Sequence, residues 1–271
     1  MKIYIQTDIE GVAGFCFFER LDNKNPDNIA HVQRMRRLLT GEVDSAVRAA
    51  FAGGADEVFV NDSHGSGYNI LFEELDPRCR IIHGRNCSGP HWLPLLEGSD
   101  RLVLVGMHAM GGTPRAVVSH SRWEVNGGEM HLSEASMAAA IAGDLGIPCC
   151  FVSGDQHVCR ELKEKMPRIV TVETKQSLAP YQACSLIPRR SFELIYSGVM
   201  EAIANPSPDV LRIAGPVRLD LLDNAEHIPP FAPSGHAVVA PTISEAFMSF
   251  ERAMPWTHFD QEHVDGFQFP D

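Results

Sequence analysis

The sequence predicts an α/β fold: a mostly parallel sheet with helices on both faces, a metal site at the carboxyl ends of its strands, and a smaller C-terminal lobe. Two observations carry this. Short, continuously apolar runs alternate with longer stretches of helical period, the pattern of strands buried on both faces. Four of those runs also end in polar residues that a strand does not need, as ligand sites at the carboxyl ends of parallel strands require.

The elements follow in order. Lys2–Thr7 reads as a strand. Val32, Met35, Leu39, Val43 and Val47 recur near helical spacing, giving a helix over 29–51 with Asp27 and Asn28 as caps and Gly53-Gly54 as its stop. Residues 57–60 and 101–105 are short apolar strands. The Ala-rich stretch 133–145 is a helix closed by Gly146 and Pro148. Residues 149–152 form a fourth strand, and 157–166 the helix after it. Residues 169–172, 217–221 and 237–239 read as strands, and 191–204 and 244–254 as helices. Prolines 206, 208, 216, 229, 230 and 233 punctuate the later third. The chain is expected to form one catalytic unit over 1–271, with a sub-lobe from about 176 onward.

Composition narrows the function. The 271 residues carry 23 Lys+Arg against 35 Asp+Glu, a formal charge of −12. A surface of that sign repels a phosphate backbone, so no nucleic-acid partner is expected. No run approaches the ~18 apolar residues that span a membrane, and no secretory leader precedes the first strand, so the expected location is the cytoplasm. The seven cysteines form no CxxC pair and read as small buried hydrophobes rather than disulfides or a zinc knuckle.

The strand ends carry the chemistry. The first runs Thr7-Asp8-Ile9-Glu10-Gly11, the second Asn61-Asp62-Ser63-His64-Gly65, the third Gly106-Met107-His108-Ala109, and the fourth Ser153-Gly154-Asp155. Asp8 and Glu10 are two apart on a segment read as extended, so both side chains point the same way. Glu134 opens the Ala-rich helix. Carboxylate and imidazole without thiolate is a ligand set for zinc, with manganese or cobalt as substitutes. Three carboxylates leave a site with one divalent ion at net −1 and a site with two at +1, which a hydroxide neutralises. Two ions sharing Asp8 are therefore preferred. His120, flanked by Ser119 and Ser121 in a loop running on from His108, is a candidate acid, base or oxyanion donor. Asp62 and Asp155 are candidates for orienting ligand imidazoles or for binding a substrate's α-ammonium; Asp155 alternatively caps the helix that follows it.

Taken together and in this order, Asp8-Ile9-Glu10-Gly11, Asn61-Asp62-Ser63-His64, Gly106-Met107-His108-Ala109, Thr113-Pro114 leading to Ser119-His120-Ser121, and Glu134 resemble the zinc D-aminopeptidases of the dipeptide-transport-operon type. The resemblance covers roughly the first 175 residues, with Gly154-Asp155 and Lys175-Gln176 in family-like places. It implies that Asp8, Glu10, His64, His108 and Glu134 hold two zinc ions and that His120 is catalytic, in its own or a neighbouring subunit's site. It further implies a ring-shaped homo-oligomer, a decamer in the known case, that releases D-amino acids, D-Ala especially, from short peptides. The competing expectations are a two-metal hydrolase of another class, such as a phosphoesterase, and a non-catalytic binding or scaffold protein of the same fold. A phosphoesterase would be expected to line the rim with cations, and only Arg115 and Arg122 lie near it.

Overall fold

A computed structural model describes residues 1–17, 26–84, 92–222 and 237–253. Its principal sheet has seven strands. β1 (Lys2–Thr7), β2 (Glu57–Asp62), β3 (Arg80–Ile82), β4 (Arg101–Met107), β7 (Cys149–Asp155) and β8 (Val170–Ala179) run parallel, and β9 (Gln182–Ser185) closes one edge antiparallel to β8. Their spatial order is β3-β2-β1-β4-β7-β8-β9. A second, four-stranded antiparallel sheet, ordered β11-β10-β5-β6, joins β5 (Trp123–Val125) and β6 (Met130–Leu132) to β10 (Val217–Leu221) and β11 (Ala237–Ala240). It therefore draws strands from two separate stretches of the chain.

The period of two along the central strands sorts the core. Ile3 and Ile5 of β1 and Val103 and Val105 of β4 face one layer, where α1 (Pro26–Ala52) packs against α4 (Pro188–Ala204). Tyr4 of β1 and Leu102 and Leu104 of β4 face the other. There they meet α2 (Glu134–Asp144), α3 (Gln156–Lys165), α5 (Ile243–Ala253) and the small sheet. Ile3, Tyr4, Ile5, Leu102, Val103 and Leu104 are all 0% exposed. Burial on both faces, at about 1.5–3 kcal/mol per large apolar side chain, is what holds these short strands in place.

Several element ends differ from expectation. α1 starts at Pro26, so Asp27 and Asn28 lie inside its first turn rather than ahead of it. Proline suits this place because its missing N–H would have no helical partner there. β8 extends to Ala179, seven residues beyond the apolar run, because its polar half pairs with β9. The end of the expected helix at Met254 and prolines 229, 230 and 233 lie outside the described residues. The six described cysteines are free thiols. Among the described residues no helix is long and apolar enough to cross a membrane.

The strand order reverses direction about β1: the chain proceeds outward through β2 and β3, then returns to add β4 on the other side. In open parallel sheets, ligand sites lie at such a switch point, beyond the carboxyl ends of the strands.

Candidate metal centre

Asp8 and Glu10 follow β1, His64 follows β2, His108 follows β4, and Glu134 is the first residue of α2. The six residues singled out from the sequence, these five and His120, converge in two groups. One is Asp8, Glu10 and His64; the other is His108, His120 and Glu134.

Two glycines permit the convergence. Gly11 N donates to Gly106 O at 2.8 Å. A Cβ on Gly11 would lie 2.0 Å from Met107 O, and one on Gly106 (φ +75°) would lie 2.2 Å from Asp8 O. Only glycine lets the two loops touch so closely.

The residues Asp8 to Glu10 form a bend and turn rather than the expected continuation of the strand. The carboxylates still meet, because His64 gathers them: its Nδ1 lies 3.0 Å from both Asp8 Oδ1 and Glu10 Oε2. On the other side His108 Nε2 lies 3.5 Å from Asp8 Oδ2 and 3.7 Å from Glu134 Oε1. Glu134 Oε1 is also 3.6 Å from His120 Nε2. Asp8 thus addresses one group with each carboxylate oxygen.

The imidazoles are oriented by backbone carbonyls. His108 Nδ1 donates to Ala109 O at 2.7 Å, and His120 Nδ1 donates to Val118 O at 2.9 Å. In that tautomer both Nε2 atoms face the carboxylates as acceptors. His120 returns to the site because its loop closes on itself: Met110 bridges to His120, and Gly111 N donates to Ser121 O at 3.1 Å. Its ring stacks on His108 of the same chain, 3.9 Å between centroids. Val118 and Ser121 hold φ of +43° and +55°, a conformation unfavourable for a β-branched valine and retained where surrounding structure enforces it. Ser121 Oγ donates to Glu134 Oε1 at 2.7 Å.

Burial alone would push the Asp8 carboxyl up, but the hydrogen bond from His64 and the charge of His108 hold it far below the usual carboxylate range. Burial opposes protonation of His64, yet Glu10 and Asp8 raise its pKa well above normal. His108 likewise rises to about 10 against burial, chiefly through Glu134. Burial would also raise the Glu134 carboxyl, but His108 and then His120 draw it down. A cluster that drives imidazoles to hold protons is short of positive charge.

The orphaned atoms say the same. Asp8 Oδ2 and His108 Nε2 are buried without a hydrogen-bond partner, and Glu10 Oε2 has just the ion-pair contact to the His64 ring that it shares with Asp8. Acceptors left bare in the interior would cost about 1–3 kcal/mol each unless a cation joins them. The donor set is carboxylate and imidazole, which suits a divalent ion of the zinc type.

Of the two acids considered for the site, Asp62 is held by its own loop and Asp155 takes its alternative role as a helix cap. Both Asp62 oxygens are taken by its own loop: Oδ2 accepts from Asn69 N (2.6 Å) and Ile70 N (2.8 Å), and Oδ1 from Asn69 Nδ2 (2.9 Å). Asp155 caps α3, its Oδ1 accepting from His157 N (2.8 Å) and Val158 N (3.1 Å), while Oδ2 accepts from Ala109 N at 3.2 Å. Neither is available for a substrate ammonium, nor does either contact a ligand imidazole. Asn69, which the sequence reading passed over, links Asp62 to the His64 carbonyl (2.6 Å) and so sets that loop. Lys175, noted in the sequence only for its family-like place and given no role, is 2% exposed and donates to the carbonyls of Glu10 and Phe15. A buried lysine cannot be told from a surface one by sequence period on an edge-paired strand.

Comparison with known proteins gives the family. The peptidase M55 family model, described as D-aminopeptidase, matches residues 1–228. The chain belongs to this family. It is a metallo-aminopeptidase by that membership. A D-aminopeptidase of Bacillus subtilis (strain 168) is 28% identical over 215 residues, covering 76% of this chain and 74% of that one. The solved structure of the Zn-dependent D-aminopeptidase DppA from Bacillus subtilis, described as a self-compartmentalizing protease, superposes with a TM-score of 0.79 at 25% identity. The superposition covers 92% of this chain and 95% of that one.

Proposed function

We propose that this family member releases an N-terminal D-amino acid, D-Ala foremost, from short peptides, using two zinc ions that share Asp8. Glu10 and His64 would complete one site, and His108 and Glu134 the other. The observation that carries the reading is the split of Asp8, with Oδ1 3.0 Å from His64 and Oδ2 3.5 Å from His108. Zinc bound there would polarise the scissile carbonyl and bring the pKa of a bound water toward ~7.

The chain's own residues do the rest. His120 is the catalytic residue. Its Nδ1 proton is committed to Val118 O, so Nε2 is the acceptor turned to the cluster. Nε2 takes the proton that the attacking water releases and returns it to the leaving amine nitrogen, so the peptide bond breaks without a charged amide leaving. His108 beneath it and Ser121 beside it, through Glu134, hold the ring and the carboxylate in register. With Asp62 held by Asn69 and Ile70 and Asp155 by three backbone N–H groups, neither serves as the ammonium's counter-charge.

The Bacillus subtilis enzyme is self-compartmentalizing. We extend this to the present chain as a homo-oligomeric ring, with a decamer as the proposed size, whose chamber would restrict substrates to short peptides. The exposed cluster of Tyr68, Phe72 and His83, with Phe72 stacked on His83 at 5.5 Å, supports a further protein surface at this edge.

The test is an amine-release assay on D- and L-alanyl dipeptides, paired with elemental analysis of the purified protein. Two equivalents of zinc and D-selective release are expected. One equivalent with release of neither isomer removes the proposal, and turnover of p-nitrophenyl phosphate in place of peptides would favour a phosphoesterase.

A further inference from the structure

The turn after β1 is held from every side. Gly11 N donates to Gly106 O (2.8 Å) and Val12 N to Ile9 O (3.1 Å). Glu42 Oε1 accepts from Ala13 N at 3.0 Å, and Ser185 Oγ accepts from Gly14 N at 3.0 Å. Thr174 Oγ1, at 2.6 Å, donates to Gly11 O.

Lys175 differs from these in tying both ends of the turn through one atom. Its Nζ donates to Glu10 O and, at 2.6 Å, to Phe15 O. The carboxylates that act on it are those of Asp155, Glu10 and Glu42. Asp155 and Glu42 are 0% exposed, and Glu10 is 2% exposed. An ammonium suits the place because it offers three donors and requires no acceptor, and because its charge offsets buried acids.

We propose that Lys175 is a positioning residue: by joining the carbonyls of Glu10 and Phe15 it fixes the turn that aims the Glu10 carboxylate at His64, and thereby sets cation affinity on the Asp8–Glu10–His64 side of the centre. It touches neither substrate nor cation. The inference rests on the two-ion reading above. Outer partners that orient metal ligands change affinity by ~10–100-fold when removed. No such effect is expected at His108 and Glu134, which stand on other elements.

The experiment titrates zinc(II) into metal-free full-length protein in the presence of a competing chelator, for wild type and Lys175→Met. In the variant the zinc(II) concentration that half-loads one equivalent should rise ~10–100-fold, while the other stays within about twofold. Unchanged loading of both equivalents overturns the proposal, and so does equal weakening of both, which marks general loosening. Should wild type load a single equivalent, the two-ion reading fails by itself. Lys175 is then judged on that equivalent: weaker loading in the variant upholds the positioning role, and unchanged loading overturns it. Should Lys175→Met not fold, Thr174→Val removes the adjacent latch on the same turn at nearly constant shape. The same selective weakening is then expected, and its absence overturns the proposal.

Discussion

The imidazole of His120 lies on that of His108, with 3.9 Å between ring centroids and 17° between planes. Two side chains twelve residues apart in the chain thus stand ring against ring at the centre. Within the stack, His108 Nε2 lies 3.5 Å from Asp8 and 3.7 Å from Glu134, and His120 Nε2 lies 3.6 Å from Glu134.

His120→Ala should therefore lower kcat by ~10²–10⁴-fold, the usual worth of a positioned acid or base. Zinc content should stay at the wild-type value. Peptide turnover and elemental analysis on the same preparation check this. Loss of an equivalent would instead make His120 a ligand.

Asp8→Asn should remove both equivalents, because each oxygen of Asp8 faces a different group. Glu134→Gln should weaken one. Metal content after dialysis distinguishes the two variants, and turnover should fall more than a hundredfold in Asp8→Asn.

Asp155→Ala should destabilise the fold and leave KM for dipeptides near wild type. It removes the cap of α3 and the acceptor of Ala109 N. The loss should be about 1–3 kcal/mol in urea unfolding. Asp155→Ser, which keeps a capping oxygen, should recover part of it. A large rise in KM with unchanged stability would return Asp155 to the role of ammonium partner.

Glu42 gives the protein a stability that falls as pH rises. Burial pushes its carboxyl up to about 7, against the lowering effects of Ser191, Ala13 N–H and Lys175. In the unfolded chain the group has an ordinary value near ~4.5, so between there and 7 the native state holds a proton that the unfolded state has lost. The penalty is absent below the unfolded value, grows through this window and is complete above 7. It amounts to about 3 kcal/mol at 1.36 kcal/mol per pH unit. Glu42→Gln mimics the protonated form and keeps an oxygen for Ala13 N and Ser191 Oγ. Urea unfolding with chelator present should show the variant equal to wild type below pH ~4.5 and more stable by up to that amount at pH 8. Equal stability at both pH values would refute the assignment.

Legibility followed burial. β1, β2, β4 and β7 were readable because strands covered on both faces have few places for polar residues, so their apolar runs are unbroken. β3, β5, β6 and β9 were not, since three- or four-residue strands draw their stability from partners rather than from a pattern of their own. The ligand types were readable for a related reason: Asp8, His64 and His108 follow directly on those runs, where the fold needs no charge.

Local sequence thus determined the class of fold and the kinds of side chain delivered to one rim. Tertiary structure decided their division of labour. Asp62 and Asp155 look like site residues until the backbone donors that occupy them are seen, and Lys175 looks like a strand-edge lysine until the Glu10 carbonyl is found against it. The physical reason is that a residue's chemical type is local, whereas which hydrogen bonds it has left to give depends on groups that reach it from distant parts of the chain.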